Sequence, residues 1–420
     1  MADHDLRLML NDELHGRPGL PVRAPARITH LAFTLAENDP SPLAHVATLC
    51  LGLGLKQPGP AAHHHAVEFA NGLLKFERHG EFYRISVTTE GRNLKHEAIA
   101  SLPEGWVAEL PGKRLVAIHT HILAKSSPTP TEASLKKLFG HDEMASSAVN
   151  QGKATVWSDF RIGPDGYTRM LIHDHGLAPM RMGRLTRRLH EIETYRMMAL
   201  LGLPLARQLQ RQLGPLETAL SSTIASMLSH KGSAEDSKLL EGLTTIARDV
   251  EELSNRSSYR FAATRAYSAL VAKRIQELGE ERVMSYQRLG VFLDRRFSPA
   301  IATCNAVAER INSLALRSER ASNLLRTRVD IMLETQNQQL LRSVDRNARQ
   351  QLLLQQTVEG ISVVAISYYA ISIAAKVIDG LSSYLPWLDA KLAELISIPV
   401  IIAVVAFGIW RVHEKLTGRD

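Results

Sequence analysis

Three groups of polar residues have a spacing that could do chemistry. Gln351, Gln355, Glu359 and Ser362 fall at i, i+4, i+8 and i+11, so on a helix they share one face, and Tyr369 continues that face further along. Glu359 stands at the mouth of a run that carries no other charge until Lys376. In a ring of identical subunits such a stripe would set amides, a ring of carboxylates and hydroxyls around an axis, as cation pores do. Taken singly, the same glutamate marks the water boundary of an apolar helix, where a carboxylate costs little.

The second group is histidine. His119 with His121, and His173 with His175, are each separated by one residue on an expected strand, so each pair points to one side. Neighbouring strands would gather four imidazoles into a zinc- or nickel-type site; ordinary surface histidines are the plain alternative. His63 to His65 follow QPGPAA and read as a loop. The third group is Glu77, Arg78, His79 and Glu81 around a hairpin turn, with Glu191 and Glu193 on a helix. Mixed charges of this kind make either an acid and base cluster or salt bridges between elements. No GxxxxGK[ST] loop, GxSxG elbow or HExxH occurs, so neither an enzyme nor a cofactor is expected.

These residues need elements to carry them. ITHLAFTL reads as a strand, SPLAHVATLCLGL as a helix, and LLKFERHGEFYRISVTTEG as a hairpin turning at His79 and Gly80. KRLVAIHTHILA is another strand and TPTEASLKKLF a capped short helix. KATVWSDFRIGPDGYTRMLIHD gives two strands around Pro164, Asp165 and Gly166. After an irregular segment over 1–27, residues 28–175 therefore form an α+β domain with a largely antiparallel or mixed sheet.

Helices follow over 176–298, punctuated at Gly202 to Pro204 and at Ser229 to Ser233, with a last one from Glu280 to Phe297 that Pro299 kinks or breaks. From about Ala300 to Ile378 only Gly360 interrupts a helical composition, so a stalk over 299–358 runs on into an apolar segment. That helix would be about 110 Å long at 1.5 Å per residue. Its stripe of Ile311, Leu314, Ala321, Leu325 and Met332 is a partial coiled-coil pattern.

Two apolar segments close the chain, at 359–378 and 395–411, with a loop over 379–394 and a tail over 412–420. They are short for spans, and a buried core hairpin is the alternative. Tyr384 and Trp387 in the loop, Trp410 at the far end, and Lys376 and Lys391 fit anchors at two water interfaces. Arg342, Arg346 and Arg349 precede the first segment and Arg411, Lys415 and Arg419 follow the second. Positive charge on both outer ends puts both termini in the cytoplasm and the loop outside.

The net charge of +7 and pI of about 9.4 permit contact with anionic lipid or nucleic acid. The basic residues lack interleaved aromatics, and no nucleic-acid partner is expected. Cys50 and Cys304 are too few and too far apart for a disulfide framework. The charged, Pro-rich N-terminus has no apolar core of a signal peptide.

LNDELHGRP, ERHGEF, SDFRI with GYTRMLI, EIETYRMMALL, and LLRTRVDIMLETQN running on to LQQTVEGISVVAISYY together resemble a bacterial family of membrane-anchored proteins classed as a domain of unknown function. That resemblance implies the cytoplasmic (inner) membrane and brings no activity. The order of parts, an α+β domain, helices, a long stalk helix, a short outer loop and a second span with a basic tail, also resembles the CorA class of cation channels. The Gly-Met-Asn signature of that class is absent, AKVIDGLSSYLPW standing in its place. Two functions remain open at this point. One is a homo-oligomeric ion channel or transporter in the lipid bilayer, with an inorganic cation along the first span; the other is a membrane-anchored scaffold without transport.

Overall fold

The computed structural model describes residues 3–4, 6–7, 11, 19–36, 38–60, 62–70, 72–91, 95–229, 233–382 and 389–417, with backbone only at 233, 234, 382, 390 and 413–417. The interface anchors expected at Tyr384 and Trp387 lie outside the described residues, as does most of LNDELHGRP.

The N-terminal domain is a sheet of nine strands: β1 (Ala26–Thr34), β2 (His64–Phe69), β3 (Gly72–Arg78), β4 (Phe82–Glu90), β5 (Lys113–Leu123), β6 (Ala145–Val149), β7 (Ala154–Ile162), β8 (Thr168–Asp174) and β9 (Glu281–Arg282). Their order across the sheet is β2-β3-β4-β1-β5-β8-β7-β6-β9. Every pairing is antiparallel except β5 with β8. A parallel pair needs a long crossover, and here the chain between β5 and β8 supplies α2 (Glu132–Phe139), β6 and β7. The Thr131 side chain accepts a hydrogen bond from the Ser134 amide at the start of α2, so the expected cap is present.

Both faces of the sheet are buried, although its central strands carry polar residues among the apolar ones. One face packs α1 (Pro42–Gly52) through Leu43, Val46 and Leu49, together with Trp106, against Leu31, Phe33, Phe76 and Ile85. Leu135 of α2 joins Trp157 and Leu171 in a smaller cluster. The opposite face receives α3 (Pro179–Leu200) through Met182, Leu185, Leu189 and Ile192. After α4 (Gly202–Ser229) and α5 (Ser233–Leu278) come β9 and α6 (Leu289–Ser382), and α7 (Ala390–Thr417) ends the chain.

Three expectations change. His64 and His65 lie in β2 rather than a loop, because β2 pairs with β3 along its whole length. Residues 280–288 are not helical. Glu280 accepts from the Ser147 hydroxyl at 3.0 Å, and the Ser146 amide donates to the Gln287 carbonyl at 2.9 Å, which holds this stretch on the edge of β6. Pro299 does not end a helix: α6 runs through it. An interior proline costs about 3 kcal/mol. Leu289, Phe292, Leu293 and Phe297 are buried just before it, and each contributes roughly 1.5–3 kcal/mol.

The chain divides into two compact units, residues 1–230 with 238–322, and residues 231–237 with 323–420. In the first, Ile311, Leu314 and Ala321 of α6 are buried, and Arg310 and Arg317 donate to Glu217 and Ser221 of α4. In the second, Leu325 is buried, Met332 half-buried, and Arg328 stands 3.2 Å from Asp236. By length and composition, α6, which spans both units, and α7 are each long and apolar enough to cross a membrane; 6 % of the most apolar stretch of α6 is buried and none of that of α7.

Candidate functional site

The largest concentration of buried polar groups lies between the sheet and α3. Strand alternation brings Lys75 and Glu77 of β3, Arg84, Ser86 and Thr88 of β4, His30 of β1 and Thr120 of β5 to one side. The register sets Glu77 opposite Arg84, Lys75 opposite Ser86, and His30 opposite Ser86 on its other flank. On α3, Gly183, Thr186, Arg187, His190, Glu191 and Thr194 recur at three- and four-residue steps and face the sheet.

The ion pairs converge on Arg84. Its Nε is 2.7 Å from Glu77 Oε2 and its Nη2 donates to Glu191 Oε1 at 3.5 Å. Arg274 of α5 donates from Nε to Glu191 Oε2 at 2.5 Å, and Arg187 Nε stands 3.5 Å from Glu191 Oε1. Lys75 Nζ is 3.0 Å from Glu77. Burial works to raise the Glu77 carboxyl, but Arg84 and Lys75 outweigh it and bring it down to about 2. Burial likewise opposes the charge of Arg84, and the two carboxylates more than restore it.

Two neutral histidines complete the cluster. The His30 and His190 rings stack at 4.6 Å. His30 bonds Ser86 through Nδ1 at 2.8 Å and Thr194 through Nε2 at 3.1 Å; His190 Nε2 bonds Thr120 at 2.9 Å. Burial, reinforced by the neighbouring imidazole and Arg84, holds His30 well below its ordinary value, and burial with Arg84 takes His190 to about 3.

The charged residues singled out from sequence enter this scheme in part. Glu77 and Glu191 meet at Arg84. Glu81 instead takes Arg260 of α5, and Glu193 takes Arg196 on its own helix. His30, Lys75, Arg84, Arg187 and His190 were not singled out. The available signal was a histidine inside the apolar strand ITHLAFTL and an alternating KFER opposite FYRIS.

The four histidines considered for a metal do not form one group, although the His173 and His175 rings meet at 4.6 Å. His121 Nε2 is 2.8 Å from Glu97, His119 bonds Thr29 at 3.0 Å and stacks on Tyr167 at 3.9 Å. His173 lies opposite Leu123 and Thr155, and His175 bonds Thr155 at 2.9 Å. Among the described residues no group of three or more His, Cys, Asp or Glu side chains is placed to hold a metal ion.

Gln351, Gln355, Glu359, Ser362 and Tyr369 all lie on α6. Gln355 donates to Glu359 at 3.3 Å, Ser362 donates back to the Val358 carbonyl, Gln351 is exposed, and Tyr369 is 68 % exposed with its ring edge on Tyr368. Lys376 is exposed, and Trp410 is exposed beside Phe407.

The architecture is thus an α/β sheet domain with a mostly helical remainder that ends in two apolar helices. The chain belongs to the family described as Protein of unknown function (DUF3422), which matches residues 2–416. Comparison with curated proteins finds no match.

Proposed function

We propose that the protein is a two-span, homo-oligomeric protein of the bacterial cytoplasmic membrane, of CorA-like topology, and that its first span lines a path for an inorganic cation. The observation that carries this is the stripe on α6, where Gln355 donates to Glu359 at the start of the apolar window and Ser362 and Tyr369 follow. A carboxylate with amides on its watery side and hydroxyls on its apolar side offers a cation successive oxygens. Apolar faces left uncovered along both helices are surface for lipid and for other copies. Arginines outside both ends of the helix pair put the termini in the cytoplasm and the 379–394 loop outside.

One observation favours a second reading, a membrane-anchored scaffold: AKVIDG stands where channels of that class carry Gly-Met-Asn. The test is cation flux into liposomes reconstituted with wild type, Glu359→Gln and Ser362→Ala. Repulsion among carboxylates ringed on an axis makes them a cation trap, so flux should drop when Glu359 is neutralised. Absence of wild-type flux under several ions selects the scaffold, and flux indifferent to Glu359 moves the path to another face.

A further inference from the structure

Between β1, β3, β4, α3 and the segment at Gly19 to Val22 lies a cavity of about 50 Å³. That is room for a few waters, or for one ion of roughly three or four heavy atoms. Its described lining includes three cations, Lys75, Arg84 and Arg187, and one carboxylate, Glu77. Glu191 stands behind it, but Arg84, Arg187 and Arg274 all share that carboxylate. Arg274 is relieved by Glu277, which also takes Arg188. Among the described residues cations therefore outnumber carboxylates around this partly open space, an arrangement that favours a bound anion.

The donors are also under-used. Arg187 Nε is buried without a hydrogen-bond partner, its nearest carboxylate oxygen being the one at 3.5 Å. Arg84, 4 % exposed at its side chain, likewise has no well-aligned partner at Nε although Glu77 is close. Ser86 and Thr186 add hydroxyls to the same wall. The two histidines add no compensating negative charge, an imidazole being neutral or cationic, and their ring nitrogens are bonded to Ser86, Thr194 and Thr120.

We propose that this cavity is a binding site for a small monovalent oxyanion of carboxylate or hydrogencarbonate size, held by Arg187 with Lys75, Arg84 and the Ser86 hydroxyl. A planar guanidinium with free N–H groups matches two coplanar oxygens better than it matches a sphere, which is the ground for an oxyanion rather than a halide. The bound anion would tie α3 to the sheet at the point where Glu191 already joins them to α5. Nothing in this inference depends on conduction through the apolar helices.

The test is calorimetric titration of the detergent-solubilised full chain at pH 7 and fixed ionic strength, with a bulky sulfonate as balancing anion. The probes are formate, acetate, hydrogencarbonate and chloride. The expected result is one saturable site for the oxyanions, at least tenfold weaker in Arg187→Met and unchanged in Arg248→Met, whose side chain is exposed and paired with Asp249. Lys75→Gln is a second variant should Arg187→Met not fold, with circular dichroism as the check, and it should also weaken binding. No saturable heat from any oxyanion up to about 100 mM overturns the site. An equal loss in Arg248→Met assigns the heat to the general surface, and chloride binding as tightly as formate removes the oxyanion assignment.

Discussion

His30 of β1 and His190 of α3 lie face to face in the interior of the sheet domain, their ring centroids 4.6 Å apart and their planes 15° from parallel. Both are almost fully buried, and their hydrogen bonds end on hydroxyls rather than carboxylates. Stacked imidazoles beside Arg84 are stable only while neutral, since a proton on either would sit uncompensated against the other ring and the guanidinium.

Acid should therefore unfold this domain earlier than its carboxylates alone would require. His190 titrates at about 3 when folded and near 6.5 when unfolded. Between those values the unfolded chain binds more protons, so stability is full above about pH 6.5 and falls as pH drops, by up to about 1.4 kcal/mol per pH unit. Glu77, held to about 2, adds a further loss below its unfolded value of about 4.3. His190→Gln, which keeps a partner for Thr120, should flatten the slope of stability between pH 6.5 and 4.5. Denaturant titrations across that range measure it, and an unchanged slope would count against the neutral pair.

Glu191→Gln should destabilise the domain by about 3–5 kcal/mol, because it leaves Arg84, Arg187 and Arg274 facing a neutral amide in the interior. Adding Arg274→Met should cost less than the sum of the two single changes, since both remove one shared interaction. Strict additivity in a double-mutant cycle would show the pair to be uncoupled.

Two glycine-to-alanine changes in helices should have opposite signs. A Cβ on Gly183 would stand 1.8 Å from the Leu20 carbonyl oxygen, so Gly183→Ala should push the 19–22 segment off α3, cost about 1–3 kcal/mol and speed proteolysis there. At Gly242 in α5, followed by Leu243, no atom beyond its chain neighbours and its own helix backbone lies within 4 Å of the added atom, and Gly242→Ala should stabilise by about 0.5–1 kcal/mol. Thermal melts of the two variants compare them directly.

Leu340 is 63 % exposed in α6, so a proline there tests the helix rather than its packing. Leu340→Pro removes one backbone bond and clashes with the preceding turn, at about 3 kcal/mol or more. Lowered thermal stability or altered oligomer size in detergent is the expected outcome; no change in either would argue that the helix is dispensable.

Much of the sheet was legible in the sequence because strand signals are local. The 28–35 run, the hairpin at His79 and Gly80 and the turn at Pro164 to Gly166 each carry their own period and turn chemistry. β2 escaped because HHAVEF has little apolar alternation; pairing with β3 makes it a strand. Residues 280–288 escaped because the Glu280 carboxylate accepts from the Ser147 hydroxyl, far back in the chain, and from the Gly290 amide, and these bonds outweigh their helical composition.

What the sequence determined alone is the set of features fixed within a helical turn or a strand period: the apolar helices at the C-terminus, the long helix before them, and the face shared by Gln355 and Glu359. What only the tertiary structure decided is the partnership of distant charges. Glu77 and Glu191 were visible as carboxylates, but Arg84, Lys75, Arg187 and the two histidines become one cluster only when β1, β3, β4 and α3 are packed. Local periodicity sets which face a side chain takes, whereas burial and charge compensation depend on what another segment brings to that face.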